Sequence, residues 1–197
     1  MNSSVSIHRH LLFWIVVCVT CGWDLYTKDS VFSELGYPAQ ADGEPVSVFG
    51  TGITFRYFTT FNHGALWGMG QGFTWGFATL SFIAIGFILY WLFIRGHASA
   101  SRWLTLSLAM IMGGTLGNLY DRMALHGARN EFGDLEYAVR DFLHFNLWSY
   151  DWPIFNYADV FLVSGAVMLA IYTLFLEEIE PATAEQPPQE TEPKSAV

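Results

Sequence analysis

Four long apolar runs, separated by polar stretches, set the pattern of this chain. They fall at residues 11–28, 73–94, 103–125 and 155–176. A helix that crosses a bilayer needs about 20 predominantly apolar residues, so each run predicts a transmembrane helix. His8, Arg9 and His10 precede the first run, as they would precede a cleaved signal peptide. However, Asp24 and Lys28 stand where a small-residue cleavage site belongs, and the run is read as a retained helix. Four spans put both termini on one side. Arg9 before the first span, and Arg95 and Arg102 in the short second connection, mark that side as cytoplasmic.

The two other connections are long. Residues 46–61 are rich in Thr, Phe, Tyr, Val and Ile, with glycines at 50 and 52, and predict short strands. Residues 127–145, GARNEFGDLEYAVRDFLHF, carry spaced apolar positions and suggest a short helix on the membrane surface. The expected fold is thus a mainly α membrane protein. It has four transmembrane helices, a small extracytoplasmic β-sheet and a short periplasmic surface helix. Residues 1–176 form the membrane domain.

Composition agrees with that pattern. Of the 197 residues, 52% are hydrophobic and 14% charged, against about a quarter charged in soluble domains. The net charge of −9 is concentrated at the end. Residues 177–197 hold six glutamates, one lysine, four prolines and no aromatic residue, which predicts a disordered, acidic, cytoplasmic tail. Nothing basic enough for nucleic acid is present. Cys18 and Cys21 have redox-motif spacing but lie in an apolar run without a second ligand pair, and read as small buried residues. No metal and no cofactor is expected.

Polar residues inside spans are costly and mark function by default. Here they gather at one end. Asp24 and Lys28 close the first span, Asn118, Asp121 and Arg122 close the third, and Asn156 and Asp159 open the fourth. At about 100° per residue, Gly114, Gly117, Asn118 and Asp121 share one helix face, and the glycines allow another helix to come close. Two helices can thus each present an Asn-x-x-Asp pair to one point. Two facing carboxylates suit water-activated peptide hydrolysis, one taking a proton from water and one polarising the carbonyl. Other hydrolytic motifs, H-E-x-x-H and G-x-S-x-G, are missing. A small transporter or proton relay remains the alternative, although its polar residues would be spread through the bilayer and its halves repeated.

These residues resemble a known family. The segments WDLYTK, FNHGALWG with Asn62, GGTLGNLYDR, VRDFLHF and FNYADVFLVSG occur in the order found in the lipoprotein signal peptidases, signal peptidase II. The resemblance implies an aspartyl endopeptidase of the bacterial inner membrane. Its substrate would be a prolipoprotein, cut just before a diacylglyceryl-modified cysteine. It implies Asp121 and Asp159 as the catalytic pair, with Asn62, Asn118, Arg122, Asp141, Asn156, Ala158, Asp24 and Lys28 binding substrate or supporting the site. The expected partners are the lipidated substrate and membrane lipid, and the chain is expected to be a monomer. Leu25 stands where the family has Gln, Leu66 and Trp67 where it has Ala and Phe, and residues 33–45 look inserted.

Overall fold

The computed structural model describes residues 7–37, 43–48, 50–64, 70, 72–94 and 101–176. The acidic tail and the Leu66–Trp67 departure lie outside the described residues. Four helices and one small sheet make up the fold. They are α1 (Ile7–Leu35), α2 (Thr74–Leu89, running on as a π-helical turn Tyr90–Ile94), α3 (Arg102–Arg122) and α4 (Tyr157–Ile171, running on as a π-helical turn Tyr172–Leu176). The strands are β1 (Val46–Ser47), β2 (Ile53–Asn62), β3 (Val139–Leu147) and β4 (Tyr150–Asp151), antiparallel throughout in the order β1-β2-β3-β4.

Among the described residues, three helices are long and apolar enough to cross a membrane: Ile7–Leu35, Thr74–Ile94 and Tyr157–Phe175. The third apolar run of the sequence, α3, is not among them. The reason is its place in the fold. Thirteen of its 21 residues are buried, whereas α4 buries two of 15. So α3 is the axle of the bundle, packed against α1, α2 and α4. Its three close-spaced glycines permit the packing. A Cβ on Gly113 would overlap the Thr20 side chain, and one on Gly117 would overlap the Asp24 carboxylate. A Cβ on Gly114 would stand 2.5 Å from the Ala158 carbonyl oxygen, and one on Gly165 of α4 2.7 Å from that of Ser107.

Two apolar clusters bracket a polar layer. Phe13, Val17, Ile88, Leu104, Leu108 and Met112 fill one end of the bundle. Val31, Phe32, Phe142 and Leu143 form the other, under the sheet. The buried residues of α1 run Phe13, Val17, Thr20, Asp24, Lys28, Val31 and Phe32, a single stripe at three- and four-residue spacing. Asp24 and Lys28 therefore fall between the clusters.

The stretch after α3 departs from expectation. α3 stops because Ala124 turns left-handed, with φ 54°, a conformation that ends helices. The expected surface helix is not formed. Residues 128–138 make turns closed by an Arg129–Leu135 bridge, and the following apolar residues pair as strand β3 with β2. The β-branched and aromatic side chains of AVRDFLHF suit a pleated surface better than a free helix. In β2 a bulge shifts the register: Tyr57 faces Leu143, but Thr60 faces Asp141.

These contacts make a stability test. Gly114→Val should cost about 1–3 kcal/mol by overpacking, because the nearest atom it meets is the Ala158 backbone carbonyl, with the Leu162 side chain close behind. Gly22, which has nothing within 4 Å of a Cβ, should accept alanine at no cost. Thermal unfolding in detergent checks both, and equal melting temperatures for the two variants would refute the close approach of α3 and α4.

Candidate active site

Lys28 lies at the centre of the polar layer, with its side chain 0% exposed. Its ammonium has three donors and three acceptors surround it. They are Asp24 Oδ2 at 2.8 Å, Asp121 Oδ2 at 3.1 Å and Asn118 Oδ1 at 3.0 Å. The helical spacing of Asp24 and Lys28 makes the first contact local, an i,i+4 pair. The others tie α1 to α3.

Asp121 is bound on both oxygens. Arg140 donates to Oδ1 from Nε at 3.1 Å and pairs with it from Nη2 at 3.0 Å. Oδ2 takes the Arg140 peptide N–H at 3.0 Å besides Lys28. Arg140 also donates to Asp29 of α1 at 2.5 Å. Acids and bases thus alternate through the layer as Asp24, Lys28, Asp121, Arg140, Asp29. The sequence expectation paired Asp121 with Asp159. The structure instead gives Asp121 to two cations, because Arg140, one residue before Asp141, reaches back to the end of α3.

Asp159 sits in the first turn of α4. Asn156 caps that helix, its Oδ1 accepting the Asp159 N–H at 3.1 Å, while Asp159 Oδ2 accepts the Asn156 N–H at 3.2 Å. This reciprocal capping box satisfies two backbone donors. A third, the Ala158 N–H, donates to Asp24 Oδ1 at 2.8 Å. So α1 caps α4 from outside. The remaining oxygen, Asp159 Oδ1, accepts from Asn118 Nδ2 at 3.0 Å.

Asp141 completes the site from β3 and is 1% exposed. Asn156 Nδ2 donates to its Oδ1 at 2.6 Å and Asn62 Nδ2 to its Oδ2 at 2.9 Å. Asn156 Nδ2 also reaches Asn118 Oδ1, at 3.1 Å. Two asparagines therefore connect Asp141 to Asp159. Burial and the facing Asp159 charge push the Asp141 carboxyl up to about 8. Asn62 reaches it only because of the β2 bulge. Opposite residues of an antiparallel pair share a face, so the shifted register sets Asn62 opposite Val139, on the same face as Asp141. An unshifted strand would turn Asn62 to the other face.

Arg122 donates to the Gly64 carbonyl at 3.3 Å and lies 5.5 Å from the Phe77 ring centroid, with Asp159 and Asp141 among the charges facing it. Beside Asp159 opens a cavity of about 600 Å³ lined by Phe145, Leu147, Trp152, Ile154, Val160 and Val163, with Ser164 among the rest. Val163 is 54% exposed on a membrane-length helix, so the cavity adjoins an exposed apolar face of α4. Among the described residues no cluster of metal-ligating side chains occurs.

The structure thus brings together Asp24, Lys28, Asn62, Asn118, Asp121, Asp141, Asn156, Ala158 and Asp159, with Arg122 at the margin. Sequence reading missed Arg140 and Asp29. A signal was there: VRDF sets an arginine beside an aspartate within an apolar strand, and strand alternation sends the two to opposite faces.

The family model described as signal peptidase (SPase) II matches residues 16–175. A lipoprotein signal peptidase of Rhodopirellula baltica is 35% identical over 168 residues, covering 83% of this chain and 72% of that protein. One of Mycobacterium tuberculosis is 36% identical over 149 residues, covering 76% and 66%. Two bacterial membrane enzymes solved by the in meso method share the fold. One has a TM-score of 0.63 at 23% identity, covering 100% of this chain and 99% of that one. The other has a TM-score of 0.61 at 25% identity, covering 89% and 98%. With the family match spanning α1 to α4 and every polar contact of the layer, the chain belongs to the signal peptidase II family of membrane proteases.

Proposed function

We propose that this protein cleaves the signal peptide of bacterial prolipoproteins before a diacylglyceryl-modified cysteine, using Asp141 and Asp159 as the catalytic pair. The observation that carries the pairing is the Asp141–Asn156–Asn118–Asp159 chain of hydrogen bonds, with Asp159 on the wall of an apolar cavity. Asp121 is read as structural, since both its oxygens hold cations. Asp159 stands at the positive end of the α4 dipole and accepts a backbone and a side-chain N–H. It serves as the base that takes a proton from water. Asp141, protonated below about 8, donates to the scissile carbonyl oxygen. Water adds to the carbonyl carbon to give a tetrahedral gem-diol; as the C–N bond breaks, the proton held by Asp159 passes to the leaving amine and a hydroxyl proton returns to Asp141.

The chain is read as a four-span protein of the inner membrane and a monomer, with α3 as the span shielded by the others. Arg102 at the start of α3 supports a cytoplasmic position for that end, which sets the polar layer toward the extracytoplasmic face and both termini in the cytoplasm. The apolar cavity beside α4 suits a substrate that is itself a membrane helix carrying lipid. The transporter reading finds no support: the polar groups close on one another in a single layer, and the family is a protease family.

Asp141→Asn and Asp159→Asn should each lower cleavage of a lipidated prolipoprotein by about 10³–10⁴-fold, at the upper end for a general acid or base. Asp141→Asn should leave the melting temperature near that of the parent. Asp121→Asn should behave in the opposite way, losing about 3–5 kcal/mol of stability through a broken buried pair while its folded fraction still turns over. An inactive Asp121→Asn protein of unchanged stability would return the catalytic role to Asp121.

The pH profile follows from Asp141. Its folded-state pKa lies above the free value, so its proton, and any stability it contributes, is present at low pH and lost as pH rises toward 8. Cleavage should therefore fall along a basic limb near 8, belonging to the carboxylate pair as a unit. Measured kcat/KM that stays flat to pH 9.5 would exclude a protonated Asp141 in the reaction.

A further inference from the structure

Strand β3 carries two consecutive charged residues with opposite destinations. Asp141 faces the two asparagines and Asp159. Arg140 faces the helices. Its side chain is 2% exposed and its reach is wide. Nε and Nη2 converge on Asp121 Oδ1 of α3, Nη1 meets Asp29 of α1, and the guanidinium carbon lies 5.9 Å from the Phe32 ring centroid. The peptide N–H of the same residue binds Asp121 Oδ2. Backbone and side chain of residue 140 are thus fastened to one carboxylate, and that carboxylate is fastened to Lys28. Elsewhere β3 is held on one edge by its ladder with β2, interrupted by the bulge between Tyr57 and Thr60, and on the other by the Leu143–Phe155 bridge and the short pairing with β4. The interruption lies beside Asp141, where the ladder alone fixes the strand least.

We infer that Arg140 is a positioning residue for hydrolysis: it clamps β3 to the ends of α1 and α3 and so sets the distance of Asp141 from Asp159. The clamp needs the fork of arginine. A guanidinium presents several donors in a fixed plane, while an ammonium is a compact point charge on a flexible stem. A lysine at 140 reaches Asp121 or Asp29 but does not hold both. Because the clamp acts on the reacting groups rather than on the apolar cavity, its loss falls on kcat and not on KM. A displacement of about 1 Å at a reacting group costs about 10²-fold in rate.

The inference rests on Asp141 being catalytic, and the test keeps the two apart. Purified full-length protein in detergent is assayed on a lipidated prolipoprotein, with kcat expressed per folded molecule. Arg140→Gln should lower kcat by about 10–100-fold and leave KM within about twofold. Arg140→Lys should recover part of the loss. Asp29→Asn removes only the outer arm, whose carboxylate is 70% exposed, and should lower kcat by a few-fold with folding intact. It carries the test should Arg140→Gln fail to fold. Unchanged kcat in both Arg140→Gln and Asp29→Asn, a loss confined to KM, or full recovery by lysine would overturn the clamp. Asp141→Asn is run in parallel: if it keeps activity, the catalytic assignment fails, whereas an inactive Asp141→Asn beside a normal Arg140→Gln removes the clamp alone.

Discussion

The Lys28 ammonium is the contact on which the site depends. Withdrawing a cation from water costs several kcal/mol even after relaxation, and only close partners repay it. Lys28 has three, and each sets something else. Asp24, held on one oxygen, is free on the other to cap α4 at Ala158. Asp121, held on one side, binds Arg140 on the other and so fixes β3. Asn118 is turned by the ammonium: with Oδ1 on Lys28, its NH₂ is left to face Asp159. One buried charge thus orients a helix start, a strand and an amide, and these carry the two carboxylates.

Close packing makes the arrangement possible. Gly117 brings α3 against the Asp24 side chain, and Gly114 brings it against the Ala158 backbone. Asp24, Asp121 and Ala158 can meet only if those three helices approach within the space of a missing methyl group. Small residues serve this purpose in membranes, where lipid is as apolar as a side chain and packing must drive association. The apolar clusters above and below the layer exclude water from it, which strengthens each interaction inside.

Much of this was legible in the sequence. Four helices, a strand-forming region near residues 46–61 and a polar layer at one end follow from hydropathy and spacing, because both report directly on local environment. The pairing inside the layer did not. Helical periodicity places Asn118 and Asp121 on one face, yet it cannot say which carboxylate a neighbouring element will neutralise. That is decided by Arg140, which lies on strand β3, 18 residues beyond the end of α3 at Arg122. The strand itself read as a helix, since AVRDFLHF has no strict alternation. Its irregular pattern reflects burial on both faces: Val139 through His144 are all buried. Asn62 is named by the resemblance, but strand alternation could not give its face, which the one-residue shift of the bulge decides.

In the proposed reaction, Asp159 joins folding to chemistry in a way that limits both. The same carboxylate closes the capping box of α4 and lines the apolar cavity. A group that only capped could be exchanged for serine or threonine, and a group that only reacted could sit on a loop. Holding both roles, it keeps one oxygen on the backbone of Asn156 and presents the other to Asn118, so its plane is fixed before substrate arrives. Catalytic groups held by the scaffold need no reorganisation during reaction. The helix start, the amide of Asn118 and the ammonium behind it therefore act as a single preorganised unit, and β3 with Asp141 is the part that must be brought to it.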